Sequence, residues 1–484
     1  MIGGGASATA VLNALIKMVS GQIGEAPHVV VFEPAGVPGP GVAYGADTEA
    51  ALLNRPACTM SVDYGDPGHF RRWLARCGEP AARDAQQFVS RASFGRYLAE
   101  MFSVCGAELT ALGGSVEVVP QLVTGLRRRG AEWAISAGGV ERTADHVVLC
   151  PGAIPPVDVY GLDGSEGYAP HPYPLQNSLE PARSASSVLV LGSGLTAVDV
   201  ALELARESAG SRITLASRSG LVPDVRSDSS QSKAVTPLLD RAAALLSQER
   251  PTGLVLGDVL GLIDDDLRSK GSSLRESVQP FLARWPADRI LRTRLADPSA
   301  GALVQGCVNE LTPLYGALWR ALSPRCKRTF QRRLGRLWGG LRSPLPPVTA
   351  HRLLEMVDDG QLRFAAGLRD VAPTPAGFVA RWSGSAEQTY EVVVNATGRN
   401  TQVALAPGGS LLARLIDDEV VRSHPAGGVD VDSSTQEAIN APGLFVVGDL
   451  AGGVHFHTSS MESVASQAHR VAAALTARSH SGWL

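Results

Sequence analysis

The strongest constraint on this chain is one sequence plan that occurs twice. Both copies read G-x-G-x-x-A, with Gly3, Gly5 and Ala8 in the first copy and Gly192, Gly194 and Ala197 in the second. In such a turn the first glycine permits a tight bend, the second lets the backbone approach a pyrophosphate, and the small third residue lets the next helix pack on its strand. The repeated plan therefore predicts an α/β fold with two Rossmann-like dinucleotide-binding domains.

The residues that flank each turn support this prediction. In both copies an apolar stretch with helical spacing follows the turn, and an apolar strand follows the helix, at 29–32 in the first copy and 212–216 in the second. The N-terminus of each helix would face the phosphates of a dinucleotide with its partial positive charge. The first of these strands is followed by Glu33, whose carboxylate is suited to accept hydrogen bonds from both ribose hydroxyls of an adenosine.

The second copy differs at the ribose-binding position. Its strand at 212–216 is followed by Ser217 and Arg218, with no carboxylate. A carboxylate there would bind the 2'-hydroxyl of NAD and repel a 2'-phosphate, whereas Arg218 can form a charge-assisted bond to that phosphate and Ser217 can donate a second. The second domain is therefore predicted to bind NADPH rather than NADH.

Similar segments follow each copy further along the chain. A meander is predicted after each, with strands at 116–118 and 133–135 in the first case and at 362–364 and 378–380 in the second. Each meander leads to an apolar strand that ends in a small-x-Gly turn, at Gly152 and at Gly398. Such a turn lets the chain cross between domains beside a bound dinucleotide, so Gly398 is a candidate cofactor contact. Near the C-terminus an apolar strand ends in Gly448 and Asp449, and an apolar helix is predicted at about 462–475.

The order of these segments predicts the domain boundaries. A discontinuous first domain covers 1–156 and 399–484, and the second domain covers 157–398. The middle of the second domain, at about 225–347, is rich in arginine and is predicted to be a helical insertion that caps the active site, with helices at 238–246, 281–291 and 314–334. Its basic runs are expected to be solvated helix faces, although one arginine could bind an acidic substrate.

Length, charge and cysteine spacing exclude several classes of protein. A chain of 484 residues favours two or three domains, and a net charge of -3 without a basic, aromatic-rich tract argues against a nucleic-acid partner. We expect no membrane span, no secretory signal and a cytoplasmic location, because no run of 18 apolar residues and no basic n-region occurs. The six cysteines form no C-x-x-C pair and no zinc-like cluster, so neither a disulfide reductase nor a metal site is predicted.

The block after Glu33 is more specific than the glycine turns. It contains GPGVAYG at 39–45, LLNRPA at 52–57 and HFRRWL at 69–74. Together with the two turns, this block resembles the FAD-NAD(P)-binding superfamily of two-dinucleotide flavoproteins, in the branch that includes flavin-dependent N-monooxygenases such as the nitrosuccinate-forming aspartate N-hydroxylases. The resemblance covers most of the chain outside its middle. It implies FAD in the first domain, NADPH in the second, and Asn54, Gly448 and Asp449 as contacts of the flavin cofactor.

Three kinds of reaction suit FAD combined with NADPH. A disulfide reductase would need a cysteine pair, and an electron-transfer reductase would need a second redox centre or partner. A monooxygenase needs neither, since the cofactors carry the chemistry while the protein supplies orientation and excludes water. We therefore expect an NADPH-dependent monooxygenase that uses molecular oxygen on a small molecule, for example the nitrogen of an amino acid or an acidic amine. An NADPH:acceptor oxidoreductase without oxygen insertion and a non-catalytic flavin-binding protein remain alternatives.

Few residues are candidates for the substrate side. His455 and His457 follow the Gly448–Asp449 turn closely, and either could hold a substrate carboxylate or tune the reactive oxygen. The competing interpretation of both is a hydrogen-bonded structural histidine.

The first glycine turn departs from the expected pattern. A longer apolar strand should lead into it, whereas only Met1 and Ile2 precede Gly3. Either translation starts further upstream or the central strand of the first sheet is truncated. We expect the chain as written to bind FAD weakly or to fold poorly, and an N-terminal extension to restore binding.

Overall fold

The computed structural model describes residues 1–20, 26–45, 47–84, 87–207, 210–227, 238–248, 250 and 252–481. The chain divides into two compact units. The first combines Met1–Pro155 with Arg399–Leu484, and the second is Pro156–Gly398.

Strands and helices alternate around the two glycine turns, whereas 115–169 and 362–395 are runs of strands and 238–358 is a run of helices. The strands are β1 (His28–Phe32), β2 (Ser115–Val119), β3 (Val123–Arg129), β4 (Glu132–Ala137), β5 (Val140–Ala144), β6 (Val147–Leu149), β7 (Tyr168–Ala169), β8 (Ser187–Leu191), β9 (Arg212–Ser217), β10 (Leu362–Ala366), β11 (Leu368–Thr374), β12 (Gly377–Trp382), β13 (Ser385–Tyr390), β14 (Val392–Asn395) and β15 (Leu444–Val446). The helices are α1 (Ala6–Val19), α2 (His69–Arg76), α3 (Arg91–Ala111), α4 (Leu175–Ser178), α5 (Glu180–Arg183), α6 (Leu195–Glu207), α7 (Leu238–Leu246), α8 (Leu256–Ser269), α9 (Leu274–Leu282), α10 (Ala287–Ala296), α11 (Ser299–Glu310), α12 (Tyr315–Ala321), α13 (Pro324–Arg333), α14 (Gly335–Arg342), α15 (Pro347–Asp358), α16 (Leu411–Asp417), α17 (Gly452–His455) and α18 (Met461–Ser481). Short 3-10 turns lie at Ala57–Thr59, Pro80–Ala82, Thr312–Leu314, Val403–Leu405 and Asp449–Ala451.

The first unit is built on parallel strands. Strand β1 pairs with β2, and β15 pairs with β6. Ile2 lies between the two pairs and bridges Phe32 on one side and Leu149 on the other. Helix α1 is apolar on nearly every side and packs against α3 and α18, which places it in the core on one face of these strands. The strands β3, β4 and β5 form an antiparallel sheet, in which β3 contributes Leu126 and β4 contributes Trp133 and Ile135 to a second core cluster.

The second unit is also built on parallel strands, which form a larger sheet. Its five parallel strands lie in the order β10-β9-β8-β14-β7. The central strands β8 and β14 consist almost wholly of buried valine and leucine, as expected for a parallel sheet covered on both faces. Helix α6 follows β8 and packs near α15, and β11, β12 and β13 form a separate antiparallel sheet. The predicted fold class is confirmed: each unit is a Rossmann-like α/β structure.

One prediction about strand pairing was wrong in both units. The segments at 116–118 and 362–364 were expected to be meander strands, but they lie in β2 and β10, which join the parallel sheets beside β1 and β9. The meanders consist instead of β3-β4-β5 and β11-β12-β13. The error has one cause: short apolar strands look alike in sequence, and the partner of each strand is chosen by packing of distant segments.

The described residues between β9 and α15 form helices, but two predicted helices are broken. The stretch at 281–291 is split between α9 and α10, with Pro286 at the start of α10, and the stretch at 314–334 is split between α12 and α13 by Pro324. Proline lacks the backbone N–H that a helix interior needs, and it fits the first turn of a new helix. Helix α7 has the predicted bounds, whereas the predicted insertion also includes 228–237, 249 and 251, which lie outside the described residues.

A buried ion pair fixes the insertion to the segment after β9. Asp224 and Arg294 are 0% and 4% exposed, and Arg294 Nε donates to the Asp224 carboxylate at 2.9 Å. The side-chain amide of Gln305 donates to the same carboxylate at 3.1 Å. A buried charge needs this full set of partners, because an unpaired one would cost several kcal/mol. In the described part of the chain, no helix combines the length and apolar character required to cross a membrane.

Candidate functional site

The first glycine turn is shaped by the end of strand β6. Gly3 has a φ of +94°, a left-handed conformation that side chains rarely tolerate. A Cβ atom on Gly3 would lie 2.2 Å from the carbonyl oxygen of Cys150, which directly follows β6. Only glycine therefore fits here, as the sequence pattern predicts for the first position.

The second position of this turn lies against another glycine. A Cβ on Gly5 would meet the Cα of Gly41 at 3.2 Å. Gly5 is also the N-cap of α1, and no side chain caps that helix end. Because the first amides of a helix have no partner within the helix, an uncapped N-terminus at the end of a parallel sheet is suited to bind a phosphate group.

Glu33 lies directly after β1, beside the turn. Its Oε2 accepts a hydrogen bond from the Gly4 amide at 2.9 Å, and its Oε1 accepts one from the Ala35 amide at 3.2 Å. A carboxylate oxygen has room for more than one hydrogen bond, so both oxygens retain acceptor capacity. Glu33 is half-buried, and this geometry leaves it able to bind two hydroxyl groups while it holds the turn in place.

The C-terminal strand brings its Gly-Asp turn to the same place. A Cβ on Gly448 would lie 3.0 Å from the hydroxyl of Ser7, in the first turn of α1. The next residue, Asp449, accepts hydrogen bonds on Oδ1 from Arg399 at 2.7 Å and from Thr458 at 3.1 Å. The predicted cofactor residues of the first and last segments therefore meet at one edge of the sheet.

Asn54 follows a short antiparallel bridge. Leu52 pairs with Ser90 in antiparallel fashion, and the Leu53 amide donates to the carbonyl of Val89 at 2.8 Å. Asn54 itself is half-buried. Its predicted contact with a flavin stays a prediction.

The turn of the second unit has the same construction. Gly192 has a φ of +128°, and a Cβ there would lie 2.3 Å from the carbonyl oxygen of Ala396, which directly follows β14. No atom lies within 4 Å of the place where a Cβ on Gly194 would be, so the space in front of the second glycine is open. The turn leads into α6, whose buried Ala197 takes the third, small position.

The ribose-binding position of the second unit carries positive charge. Arg218 follows β9 and is exposed, with no described carboxylate partner. Ser217, by contrast, is buried, and its hydroxyl lies 3.0 Å from that of Ser193 while it accepts a hydrogen bond from the Gly220 amide at 2.9 Å. Ser193 in turn donates to the carbonyl of Leu221 at 2.6 Å. Ser217 therefore faces the interior and links the glycine turn to the loop after β9. Of the two residues predicted to bind the 2'-phosphate, only Arg218 is open to a ligand.

Both small-x-Gly turns adopt the expected shape. Gly152 and Gly398 have φ values of +79° and +91°, and no atom lies within 4 Å of a Cβ built on either. In the second turn the buried side chain of Asn395 accepts hydrogen bonds from the amide and hydroxyl of Thr397. The bend before Gly398 is thus fixed by side-chain bonds.

The two candidate histidines have different surroundings. His455 is buried at the end of α17, and its Nε2 lies 2.8 Å from the side-chain amide nitrogen of Gln436. His457 is half-buried and its carbonyl accepts a hydrogen bond from Ser463 at 2.8 Å. Between them Phe456 has a φ of +68°, a strained conformation for a residue with a side chain.

All six cysteines are free in the structure, and Cys105, Cys150 and Cys307 are buried. Burial raises the pKa of the Cys105, Cys150 and Cys307 thiols to about 12, which leaves them protonated and poorly nucleophilic at neutral pH.

Sequence reasoning missed the residues that support the turns. Gly39 has a φ of +114°, and a Cβ there would lie 2.6 Å from the Cα of Ala99 in α3. Gly41 packs closely against Gly5, because a Cβ on Gly41 would lie 3.0 Å from the Cα of Gly5. The G-P-G letters at 39–41 therefore let a loop pack between α3 and the first turn. Ser193 was also missed, because nothing in the sequence indicates that its side chain reaches the loop after β9.

Comparisons with known proteins agree with this geometry. Residues 1–154 match the family model described as FAD-NAD(P)-binding. No curated protein sequence matches the chain.

Several solved structures share the fold over nearly the whole chain. The ornithine N-hydroxylase of Kutzneria sp. 744, solved with reduced FAD, NADP+ and L-ornithine, has a TM-score of 0.58 at 16% identity, covering 99% of this chain and 98% of that one. The ornithine hydroxylase of Pseudomonas aeruginosa has a TM-score of 0.59 at 13% identity, with coverages of 98% and 97%. The L-lysine 6-monooxygenase of Pseudomonas syringae has a TM-score of 0.56 at 15% identity, with coverages of 99% and 98%.

These identities are low, so the similarity concerns the fold. The glycine turns, the uncapped helix and the open space before Gly194 are compatible with a dinucleotide in each unit. The chain therefore has the fold of the two-dinucleotide flavoproteins, and its N-terminal third matches the FAD-NAD(P)-binding family.

Proposed function

We propose that this chain is an FAD-dependent, NADPH-consuming monooxygenase that hydroxylates the nitrogen of a small amine, such as an amino acid. The observation that carries the proposal is a pair of glycine turns of the same construction with opposite charge beside them, Glu33 at the first and Arg218 at the second. A carboxylate suits the ribose of FAD, and an arginine suits the 2'-phosphate of NADPH. The full-length fold similarity to N-hydroxylating monooxygenases supports the choice of reaction.

The first unit supplies the groups that would hold FAD. The amides at the start of α1 would bind the pyrophosphate, because the small residues Gly3, Gly5 and Ala8 leave room for it. Glu33 would accept bonds from the ribose, and Asp449, beside Gly448 and the start of α1, would accept bonds from the ribityl chain through Oδ2, which bonds to none of the described residues. Asn54 is proposed as a further flavin contact.

The second unit supplies the groups that would hold NADPH. The amides at the start of α6, beside Gly192, Gly194 and Ala197, would bind its pyrophosphate, and Arg218 would bind its 2'-phosphate. Gly398 leaves room beside the dinucleotide, since no atom occupies the position of its missing side chain. Ser217 would act indirectly, by holding the turn against the loop after β9.

The proposed reaction balances without any further redox group. NADPH and a proton supply two electrons and two hydrogens; one atom of O2 enters an N–H bond to give a hydroxylamine, and the other leaves as water. The flavin, when bound, accepts hydride and activates oxygen, which amino-acid side chains cannot do. The chain's own task is to bind, to orient the amine and to exclude water.

The segment at 455–458 is the proposed substrate-side element. Strained backbone at Phe456 is the kind of feature that functional sites retain. His455, bonded to Gln436, would position this segment, and His457 is the better candidate for direct contact because it is less buried. An acidic amine as substrate and a cytoplasmic location stay predictions from the sequence.

The test is substrate-dependent incorporation of labelled oxygen. The purified chain with FAD and NADPH is incubated with ornithine, lysine or aspartate under isotopically labelled O2, and the products are analysed by mass spectrometry. A labelled hydroxylamine from one amine, with NADPH use matching its formation, is the expected result. NADPH consumption that yields only hydrogen peroxide with every amine would instead indicate an oxidoreductase without oxygen insertion. Aspartate as the preferred amine would support the acidic substrate class.

A further inference from the structure

A second arginine lies beside Arg218, and it comes from the helical insertion. Arg336 is in the first turns of α14, and its Nη1 donates a hydrogen bond to the hydroxyl of Ser219 at 3.4 Å. Ser219 directly follows Arg218 in the loop after β9. Arg336 therefore bonds to the residue next to Arg218, at the end of β9.

Neither Arg218 nor Arg336 bonds to a carboxylate among the described residues, in contrast to arginines such as Arg294 and Arg399. Removal from water and the charge of Arg218 lower the pKa of Arg336. Like charges held close together repel each other, so a bound dianion would relieve this repulsion.

Ser219 is able to donate a hydrogen bond to the same anion. Its oxygen accepts bonds from Arg336 and from the Leu221 amide at 3.5 Å, and its own proton has no acceptor among the described residues. Arg218, Ser219 and Gly220 also line a groove of 1190 Å³, so these three residues are open to a ligand, although Arg336 is not among the residues that line the groove.

Helix α14 is held firmly against the loop after β9. The Asp224 amide donates to the carbonyl of Gly340 at 3.3 Å, and the Leu345 amide donates to the carbonyl of Asp224 at 2.7 Å. The carboxylate of Asp224 is itself fixed by Arg294 and Gln305. These bonds hold the C-terminal part of α14 and the residues after it, whereas Arg336 lies in the first turn of the helix. The hydrogen bond from Arg336 to Ser219 joins that N-terminal end to the loop after β9.

We propose that Arg336 and Ser219 complete, together with Arg218, a binding site for the 2'-phosphate of NADPH. The helical insertion thereby selects the coenzyme, in addition to any role near the substrate. This inference rests on the proposed function for the identity of the coenzyme. It assigns the second hydroxyl contact to Ser219, since Ser217 faces the interior.

The test measures coenzyme fragments and needs no turnover. Binding of adenosine 2',5'-bisphosphate and of 5'-AMP to the full chain is measured by calorimetry for the wild type, Arg336→Met and Arg336→Lys. Loss of a hydrogen-bonded charge pair should weaken the bisphosphate about 10- to 100-fold in Arg336→Met. Binding of 5'-AMP should stay the same, and Arg336→Lys should recover part of the loss.

Arg332→Met is the matched control, because Arg332 is exposed on the adjacent helix α13 and has no described polar partner. Equal effects of the Arg336 and Arg332 variants, or equal weakening of both ligands, would overturn the proposal. Ser219→Ala should also weaken the bisphosphate selectively, and thermal unfolding of each variant shows that the fold is intact. A chain that prefers the bisphosphate but hydroxylates no amine would refute the proposed function and leave this site standing.

Discussion

The two glycine turns of this chain have the same steric construction and opposite electrostatic surroundings. In each, the first glycine faces the carbonyl of the residue after a neighbouring parallel strand, Cys150 for Gly3 and Ala396 for Gly192. Beside the first turn a carboxylate, Glu33, bonds to the turn itself. Beside the second turn a buried serine holds the turn, and the charged group, Arg218, points to solvent. Steric construction is therefore shared by the two turns, whereas the charged residue beside each turn differs, and we expect this difference to decide which dinucleotide each turn prefers.

The largest effect should come from filling the tight position of the second turn. Gly192→Ala would place a Cβ 2.3 Å from the Ala396 oxygen at a φ that alanine avoids. The strain should lower kcat/KM for NADPH roughly 100-fold, with FAD content unchanged. Flavin absorbance and steady-state kinetics measure the two effects.

A matched control lies in a helix. Gly257, near the start of α8, has open space at its Cβ position, so Gly257→Ala should leave both properties unchanged. Loss of FAD from Gly192→Ala would show that the turns do not act separately.

Reversing the charge beside the second turn should reverse coenzyme preference. Arg218→Glu replaces attraction for a 2'-phosphate with repulsion and supplies an acceptor for the 2'-hydroxyl of NADH. The ratio of kcat/KM for NADPH to that for NADH should fall roughly 100-fold. The control is Arg212→Glu, at the exposed start of the same strand, which should change this ratio little. An equal change of the ratio in both variants would mean that coenzyme preference depends only on the net charge of the chain.

Neutralising the charge beside the first turn should weaken the binding of FAD. Glu33→Gln keeps the size of the side chain but loses charge-assisted bonds to the Gly4 amide and to the ribose, so the Kd for FAD should rise about tenfold. Fluorescence titration of the apoprotein with FAD measures this constant. The control is Glu117→Gln, which removes only an exposed ion pair with Arg142, and an FAD affinity unchanged in both variants would remove Glu33 from the site.

The smallest effect should come from making the carbonyl partners of the two turns alike. Cys150→Ala gives the first turn the same neighbour that Ala396 gives the second. Because burial raises the Cys150 pKa to about 12, its thiol should take no part in redox chemistry, and flavin reduction by NADPH should change by less than about twofold. A large loss of flavin reduction in this variant, with normal FAD content, would point to thiol chemistry.

Local sequence predicted the parts of the molecule that depend on local chemistry. The glycine turns, helix α6, strand β9 and the position of Glu33 follow from neighbouring residues, because backbone conformation and strand-helix order are set over short distances. The pairing of β2 with β1 and of β10 with β9 was missed, since a strand's partner depends on distant segments.

Side-chain contacts between distant segments were not predictable in the same way. The hydrogen bond between Arg336 and Ser219 joins residues that are far apart in the chain, and no sequence motif indicates this contact. The inward direction of Ser217 also depends on Ser193, which lies in another element. The breaks before α10 and α13 were different: Pro286 and Pro324 were visible in the sequence and should have ended those helices.

The assignment of the two turns to FAD and NADPH is tested most directly by anaerobic reduction of the flavin on the purified chain. FAD is titrated onto the chain to measure its Kd, and at a chain concentration well above that Kd the bound flavin is mixed with NADPH or NADH in the absence of oxygen while flavin absorbance is recorded. We predict that NADPH bleaches the bound flavin faster than NADH does. No detectable FAD binding to the chain, or bound flavin that stays oxidised in the presence of NADPH, would contradict the assignment.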